Sequence, residues 1–205
     1  MGTYCAIHIK DNDKAALVSK LERYLAETHQ GRVIRTTTAE SFGNLYDDEF
    51  VCSEEKPPTK FAIISEQPGW FTAHYNSLLR LRDLATELSR MLNTVVISVI
   101  AQSCSSAYLL SIYQSGRGLR TLEFADGSWI KQEGPLLPFE SEPLGKNIAE
   151  PGEEPYFVFE NESVCQYCEH FGLKLWTYAW MGKEHPEFTV IHALPAGVHV
   201  VEERE

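Results

Sequence analysis

The sequence predicts an α+β fold: a mixed or mainly antiparallel sheet with two helices on one face, plus a three-stranded meander. Three patterns lead to this prediction. Short β-branched or aromatic runs recur along the first 140 residues. Two longer segments, residues 13–30 and 77–93, carry leucines at helical spacing. A region rich in Tyr, Leu and Ile, residues 107–140, is divided by glycine-containing turns.

The first hundred residues alternate strand-like and helix-like segments. Asp11-Asn12-Asp13 supplies N-cap candidates for the first helix, which lies between strands at 3–9 and 32–38. Residues 40–60 are acidic and contain proline, so we predict a surface loop. The second helix can begin at Asn76 or Ser77 and end at Asn93. Further strands are predicted at residues 61–65, 70–75 and 94–101, the last of which is nearly all apolar and therefore central.

A weak internal repeat relates two β-α-β units, residues 4–38 and 70–101, with His8 and His74 at equivalent strand positions. The repeat suggests a pseudo-duplicated fold, although chance similarity between two amphipathic units explains it equally well. The length suits a single domain spanning residues 1–205. Within it, sub-units at 1–60 and 61–140 and an acidic extension at 141–205 can be distinguished.

The meander is predicted from three runs, residues 107–113, 119–125 and 128–131. Asp126-Gly127 lies between the second and third runs, where a type I′ turn needs positive φ at both central residues. Gly116-Arg117-Gly118 separates the first two runs. Later segments predict irregular structure at 138–155, a short strand or helix approach at 156–160, a helix at 163–171 and a strand at 187–193.

Charge and cysteine usage limit the classes of function. Residues 1–131 carry 14 basic and 15 acidic side chains, whereas residues 132–205 carry 4 basic and 14 acidic ones, a net charge of −10. Such a surface repels nucleic acid and anionic membranes and attracts a basic protein, although it can also serve solubility alone. Five scattered cysteines indicate reduced thiols and a cytoplasmic protein. No apolar run is long enough to span a membrane, and the N-terminus does not resemble a signal peptide.

The strongest chemical motif is Cys165-Gln166-Tyr167-Cys168, followed by His170. Two thiolates at this spacing can share a metal or form a redox pair. No second CxxC completes a zinc site, and within a helix two core cysteines are the better interpretation. The sequence contains no catalytic or phosphate-binding motif, so we expect no cofactor and no metal.

Candidate binding residues lie on the meander and in the acidic region. Exposed aromatic and Arg side chains are frequent anchors of protein interfaces, and exposed acidic side chains attract a basic partner. Ordinary packing of a hairpin is the competing explanation for those on the meander. The candidates are Arg120, Asp126, Trp129, Glu140, Glu153, Glu154 and Trp176.

About 70 residues of the chain resemble a group of uncharacterised bacterial proteins. The residues that carry the resemblance are Gly69-Trp70, Leu88-Ser89 with Leu92, Tyr113 with Gly116, Leu119-Arg120, Asp126-Gly127 with Trp129, Gly134-Pro135 and Leu137-Pro138-Phe139-Glu140. Some proteins of this kind are regarded as immunity or accessory proteins of toxin systems. The resemblance therefore implies a non-enzymatic, protein-binding function. The alternative is a small cytoplasmic enzyme with His8 or His74 in a pocket, or a metal- or thiol-dependent protein that uses Cys165 and Cys168.

Overall fold

A computed structural model of the chain describes residues 3–29, 32–36, 58–102, 104–142, 146–147, 157–175 and 188–194. The helices in these ranges are α1 (Lys14–His29), α2 (Arg82–Leu92) and α3 (Asn161–His170). The strands are β1 (Thr3–Lys10), β2 (Arg32–Thr36), β3 (Lys60–Gln67), β4 (Trp70–Tyr75), β5 (Val95–Gln102), β6 (Ala107–Gln114), β7 (Arg117–Ala125), β8 (Ser128–Glu133), β9 (Lys146–Asn147), β10 (Phe157–Val158) and β11 (Phe188–Leu194).

Nine of these strands form one sheet in the order β2-β11-β3-β4-β1-β5-β6-β7-β8. Every pair of neighbouring strands is antiparallel. The first strand therefore lies in the middle of the sheet, and the last strand lies between β2 and β3. The short strands β9 and β10 pair separately. The predicted α+β class with a mainly antiparallel sheet is confirmed.

Alternation along β1 divides the core into two clusters on opposite faces of the sheet. Cys5, Ile7 and Ile9 belong to the first cluster, which also contains Leu17 and Leu21 of α1 and Leu84 and Leu88 of α2. Strand residues of the second cluster include Ile97, Leu110 and Leu122, and α3 contributes Val164, Tyr167 and Cys168. Each helix thus buries its apolar stripe on the sheet.

Helix α2 begins later than the sequence predicts, at Arg82 rather than at residue 77. Asn76 cannot act as its N-cap because the Asn76 side chain accepts hydrogen bonds from the backbone N–H groups of Thr59 and Lys60. The end is as predicted: Asn93 adopts the left-handed conformation, with φ at 50°.

The meander is present as β6, β7 and β8. Asp126 and Gly127 have φ values of 51° and 74°, as the predicted type I′ turn requires. The first turn differs from the expectation, because Ser115 and Gly116 form it, with φ values of 50° and 82°, and Arg117 already belongs to β7. Strand β8 has an extra residue, Ile130, between the pairs Glu123–Lys131 and Phe124–Trp129.

The predicted pseudo-duplication stays a prediction, as does the division into sub-units. The strands joined by α2, β4 and β5, lie on either side of β1, whereas three strands separate β1 from β2. His8 lies opposite Thr72, and His74 lies opposite Ala6.

A buried ion pair joins the meander to the segment that follows it. The Arg120 guanidinium donates Nε and Nη2 hydrogen bonds to Glu140 Oε1 at 3.2 and 3.1 Å, and the two side chains are 3% and 0% exposed. Glu140 also accepts from the Leu137 backbone N–H at 2.6 Å and from the Tyr167 hydroxyl of α3. Arg120 Nη1 donates to the carbonyl of Gly134 at 3.2 Å. One carboxylate therefore ties β7, residues 134–140 and α3 together.

Replacing Glu140 tests this arrangement. Glu140→Gln leaves the Arg120 charge buried without a counter-ion, so the free energy of unfolding should fall by about 3–5 kcal/mol. Urea unfolding followed by circular dichroism measures the change. The matched control is Glu142→Gln, because Glu142 is exposed. That control should stay within about 0.5 kcal/mol of the wild type. A loss below about 1 kcal/mol for Glu140→Gln would show that the pair does not hold these elements together.

Candidate functional site

A groove lies at one end of the sheet, where β5 is followed by β6 and β7 by β8. Its volume is about 470 Å³. Turn residues, strand ends and the segment before α3 line it: Cys104, Ser105, Ser106, Tyr108, Phe124, Asp126, Gly127, Phe159 and Glu160. This volume falls within the range of small-ligand sites, roughly 300–1,000 Å³.

The floor of the groove is aromatic and rigid. Tyr108, Phe124 and Phe159 are buried, and the Phe159 ring centroid lies 6.5 Å from that of Tyr108 and 6.3 Å from that of Phe124. Trp129 supports this floor from β8, with its ring centroid 5.0 Å from Phe159 and 5.3 Å from Phe124. Edge-to-face and tilted arrangements are the ones that aromatic pairs favour, so these contacts stabilise the floor of the groove.

Two acidic residues from different elements line the groove. Asp126 is exposed on the β7–β8 turn, and its positive φ suits Asp, which visits the left-handed region more readily than most residues. Glu160 is the N-cap residue of α3, has an extended backbone and makes no capping hydrogen bond through its side chain. Burial, and then the nearby Glu160 carboxylate, raise the pKa of Tyr108, so the phenol stays protonated at neutral pH.

Among the described residues that line the groove there are two acidic side chains and no Lys, Arg or His, so this part of the lining carries a negative charge. The lining offers the Asp126 and Glu160 carboxylates and the hydroxyls of Ser105, Ser106 and Tyr108. Within the described part of the chain, no three His, Cys, Asp or Glu side chains are grouped closely enough to hold a metal ion. The arrangement therefore suits an organic cation that donates several hydrogen bonds.

A second, smaller cavity of about 100 Å³ lies at the same end of the sheet. Tyr108 and Phe124 line both cavities, but this one is also lined by Arg80 and Glu123. These two side chains form an ion pair with each other. The charges in this cavity are therefore balanced within the chain, which makes it a weaker candidate for binding a charged ligand.

The two strand histidines lie side by side in the sheet. His8 Nε2 is 3.2 Å from the Tyr4 hydroxyl, and His8 Nδ1 is 2.9 Å from Thr72 Oγ1. His74 packs edge-on against Tyr4, with ring centroids 5.3 Å apart. His8, Thr72 and His74 are buried, and none of them lines either cavity. The contacts between these side chains link neighbouring strands, as in a polar core.

The structure separates the predicted binding residues into three sets. Asp126 lines the groove and Trp129 supports its floor. Arg120 and Glu140 are buried and bonded to each other, so neither is an exposed anchor. Glu153, Glu154 and Trp176 lie outside the described residues. The lining residues that the sequence candidates did not include, Tyr108 and Phe159 among them, come from β6 and from the approach to α3.

The CxxC lies within α3, as the sequence predicts. Cys168 is buried and Cys165 is half-buried, and both are free thiols. Burial raises the pKa of both thiols, most strongly that of Cys168, which disfavours the thiolate form that metal binding requires. His170 is exposed and stacks on Phe139, with ring centroids 3.6 Å apart.

Comparison with protein-family models, with curated proteins and with solved structures finds no match to this chain. The resemblance to immunity-type proteins therefore stays a prediction. None of the described helices has the length and apolar character needed to cross a membrane.

Removing both α3 cysteines should leave the metal content unchanged. Elemental analysis of the purified wild type and of Cys165→Ala/Cys168→Ala should find essentially no zinc in either protein, because thiol burial opposes thiolate formation. One equivalent of zinc in the wild type that the double variant lacks would overturn this prediction. It would also favour the metal- or thiol-dependent alternative.

The cysteines should also differ in reactivity. Cys104 is exposed, whereas burial raises the pKa of Cys5 to about 12 and that of Cys168 well above its ordinary value. Iodoacetamide at pH 8 should therefore modify Cys104 in the folded protein and reach Cys5 and Cys168 only in denaturant. Peptide mass spectrometry measures the order. Equal native rates at Cys104 and Cys168 would contradict the burial of α3 on the sheet.

Proposed function

We propose that this chain is a non-enzymatic binding protein of the immunity or accessory type, which recognises a basic protein partner at the groove. The lining of the groove carries the proposal. Asp126 and Glu160 line a cavity with hydroxyl groups and an aromatic floor, and the lining residues that the structure describes include no basic side chain. A cationic side chain of a partner supplies the missing charge.

The net charge of the C-terminal part of the sequence supports the same proposal. Residues 132–205 carry a net charge of −10, and Glu162 and Glu169 of α3 are exposed near the groove's Glu160 along the chain. An acidic surface speeds the encounter with a basic protein such as a nuclease, and a bound acidic face blocks that protein's substrate site. Exposed Ile130 and half-buried Trp129 follow Asp126 on the hairpin and offer apolar contact beside the charged groups.

The composition of the groove favours binding over catalysis. Cys104 and three hydroxyl groups line it, but a nucleophile of this kind needs an adjacent base to activate it. The described lining includes no histidine or lysine. Its possible bases are the Asp126 and Glu160 carboxylates, and within the described residues the Ser105 hydroxyl bonds to Gln102 and not to either carboxylate. The His8–Thr72 contact contains a base and a hydroxyl, but both residues are buried in the sheet.

Weakening the groove charges should weaken binding to a basic partner. The probe is a fluorescent decapeptide of alternating Arg and Lys, and the variant is Asp126→Asn/Glu160→Gln. At low salt the variant should bind the decapeptide about tenfold more weakly than the wild type does. Most of this loss should come from slower association, because exposed charges steer the encounter. Anisotropy titrations and stopped-flow kinetics measure both quantities, and raised salt should weaken wild-type binding.

The control is Glu27→Gln/Asp83→Asn, which changes the net charge equally on α1 and α2. Glu27 and Asp83 are exposed, and their helices cover the opposite face of the sheet from α3. Equal affinity losses in the two double variants would show that the net charge of the protein, and not the groove, determines binding, and would contradict the proposal. The purified product of the adjacent gene in the source genome is the first natural candidate partner.

A further inference from the structure

The two groove carboxylates are held on separate rigid elements. Asp126 is fixed by a two-residue turn between paired strands, since Ala125 lies opposite Ser128 in the sheet. Glu160 is fixed by the first turn of α3, where its carbonyl accepts a hydrogen bond from the Val164 N–H at 3.0 Å. A group that satisfies both carboxylates must therefore present donors in more than one direction.

The hydroxyls and the rings narrow the choice further. Ser105 and Ser106 lie on the β5–β6 turn, and Tyr108 and Phe124 form part of the aromatic floor. A guanidinium group carries five N–H donors in a flat fork, stacks on aromatic rings and is weakly hydrated. An ammonium group is a compact, strongly hydrated charge with three donors, so it can satisfy fewer acceptors at once than a guanidinium group can.

The size of the groove agrees with such a ligand. A volume of about 470 Å³ is far larger than an ammonium group or a metal ion needs. It accommodates the extended side chain of one residue together with part of its backbone. Arg80, the arginine that lines the smaller cavity, pairs with Glu123, which is not a lining residue of the groove.

We propose that the groove is a binding site for the guanidinium group of an arginine side chain on a protein partner, with Asp126 and Glu160 as its two acceptors. This inference rests on the proposed function, and it names the side chain that the groove selects. Arginine bound in this way donates to both carboxylates through separate N–H groups.

The test compares three hexapeptides that differ only in their side chains: hexa-arginine, hexa-lysine and hexa-citrulline, the neutral isostere of the first. Isothermal titration at low salt should show hexa-arginine binding about fivefold or more tighter than hexa-lysine, with hexa-citrulline weakest. Asp126→Asn and Glu160→Gln should each reduce the preference for arginine, whereas Glu27→Gln/Asp83→Asn should keep it. Asn suits the left-handed conformation at position 126, so the turn survives that substitution.

The location of binding is read from amide chemical shifts. Hexa-arginine should shift the amides of Gly127 and Ser105, which flank the groove, and not those of α1. Equal affinity for hexa-arginine and hexa-lysine, with both lost in the groove variants, would overturn the arginine assignment and leave the proposed function standing. Binding that is absent, or equally weakened in the groove and control variants, would overturn both.

Discussion

The Glu140 carboxylate holds together parts of the chain that share no strand pairing. Its bonds to Arg120, to the Leu137 backbone and to the Tyr167 hydroxyl join β7, the segment after the meander and α3. A buried charge pair contributes little net stability over an apolar core, but it is costly to break. It therefore fixes one arrangement of these elements. The groove depends on that arrangement, because Phe159 and Glu160 immediately precede α3 and reach the sheet only when α3 is docked.

The sequence predicts the elements of this fold better than their order. The Asp126-Gly127 turn and the helix end at Asn93 are set by local backbone preferences, so they can be found from neighbouring residues alone. The central place of β1 and the insertion of β11 between β2 and β3 depend on contacts between residues far apart in the chain. The predicted start of α2 is wrong for a similar reason. The Asn76 side chain accepts a hydrogen bond from the backbone N–H of Lys60 in β3 and does not cap the helix.

The same distinction applies to the candidate site. Asp126 is recognisable because it occupies an exposed turn, and Trp129 because it follows that turn in a strand. The prediction of Arg120 as an exposed anchor is wrong, because Arg120 alternates with Leu122 and Phe124 and so lies on the apolar face of β7. The alternation is visible in the sequence, and it indicates that the Arg120 side chain is buried. The contribution of Glu160 could not be predicted, because nothing local indicates that α3 begins beside the β7–β8 turn.

The extra residue in β8 limits how other chains can approach the sheet. Ile130 is 60% exposed and displaces the pairing of β7 and β8 by one position, while Lys131 follows it. A bulge and a lysine on a terminal strand interrupt the row of backbone donors and acceptors that an added strand would need. A neighbouring molecule cannot simply lengthen the sheet at β8. Under the proposed function, recognition at this end of the molecule proceeds through side chains, which leaves its specificity to a few residues on turns that can change without altering the fold.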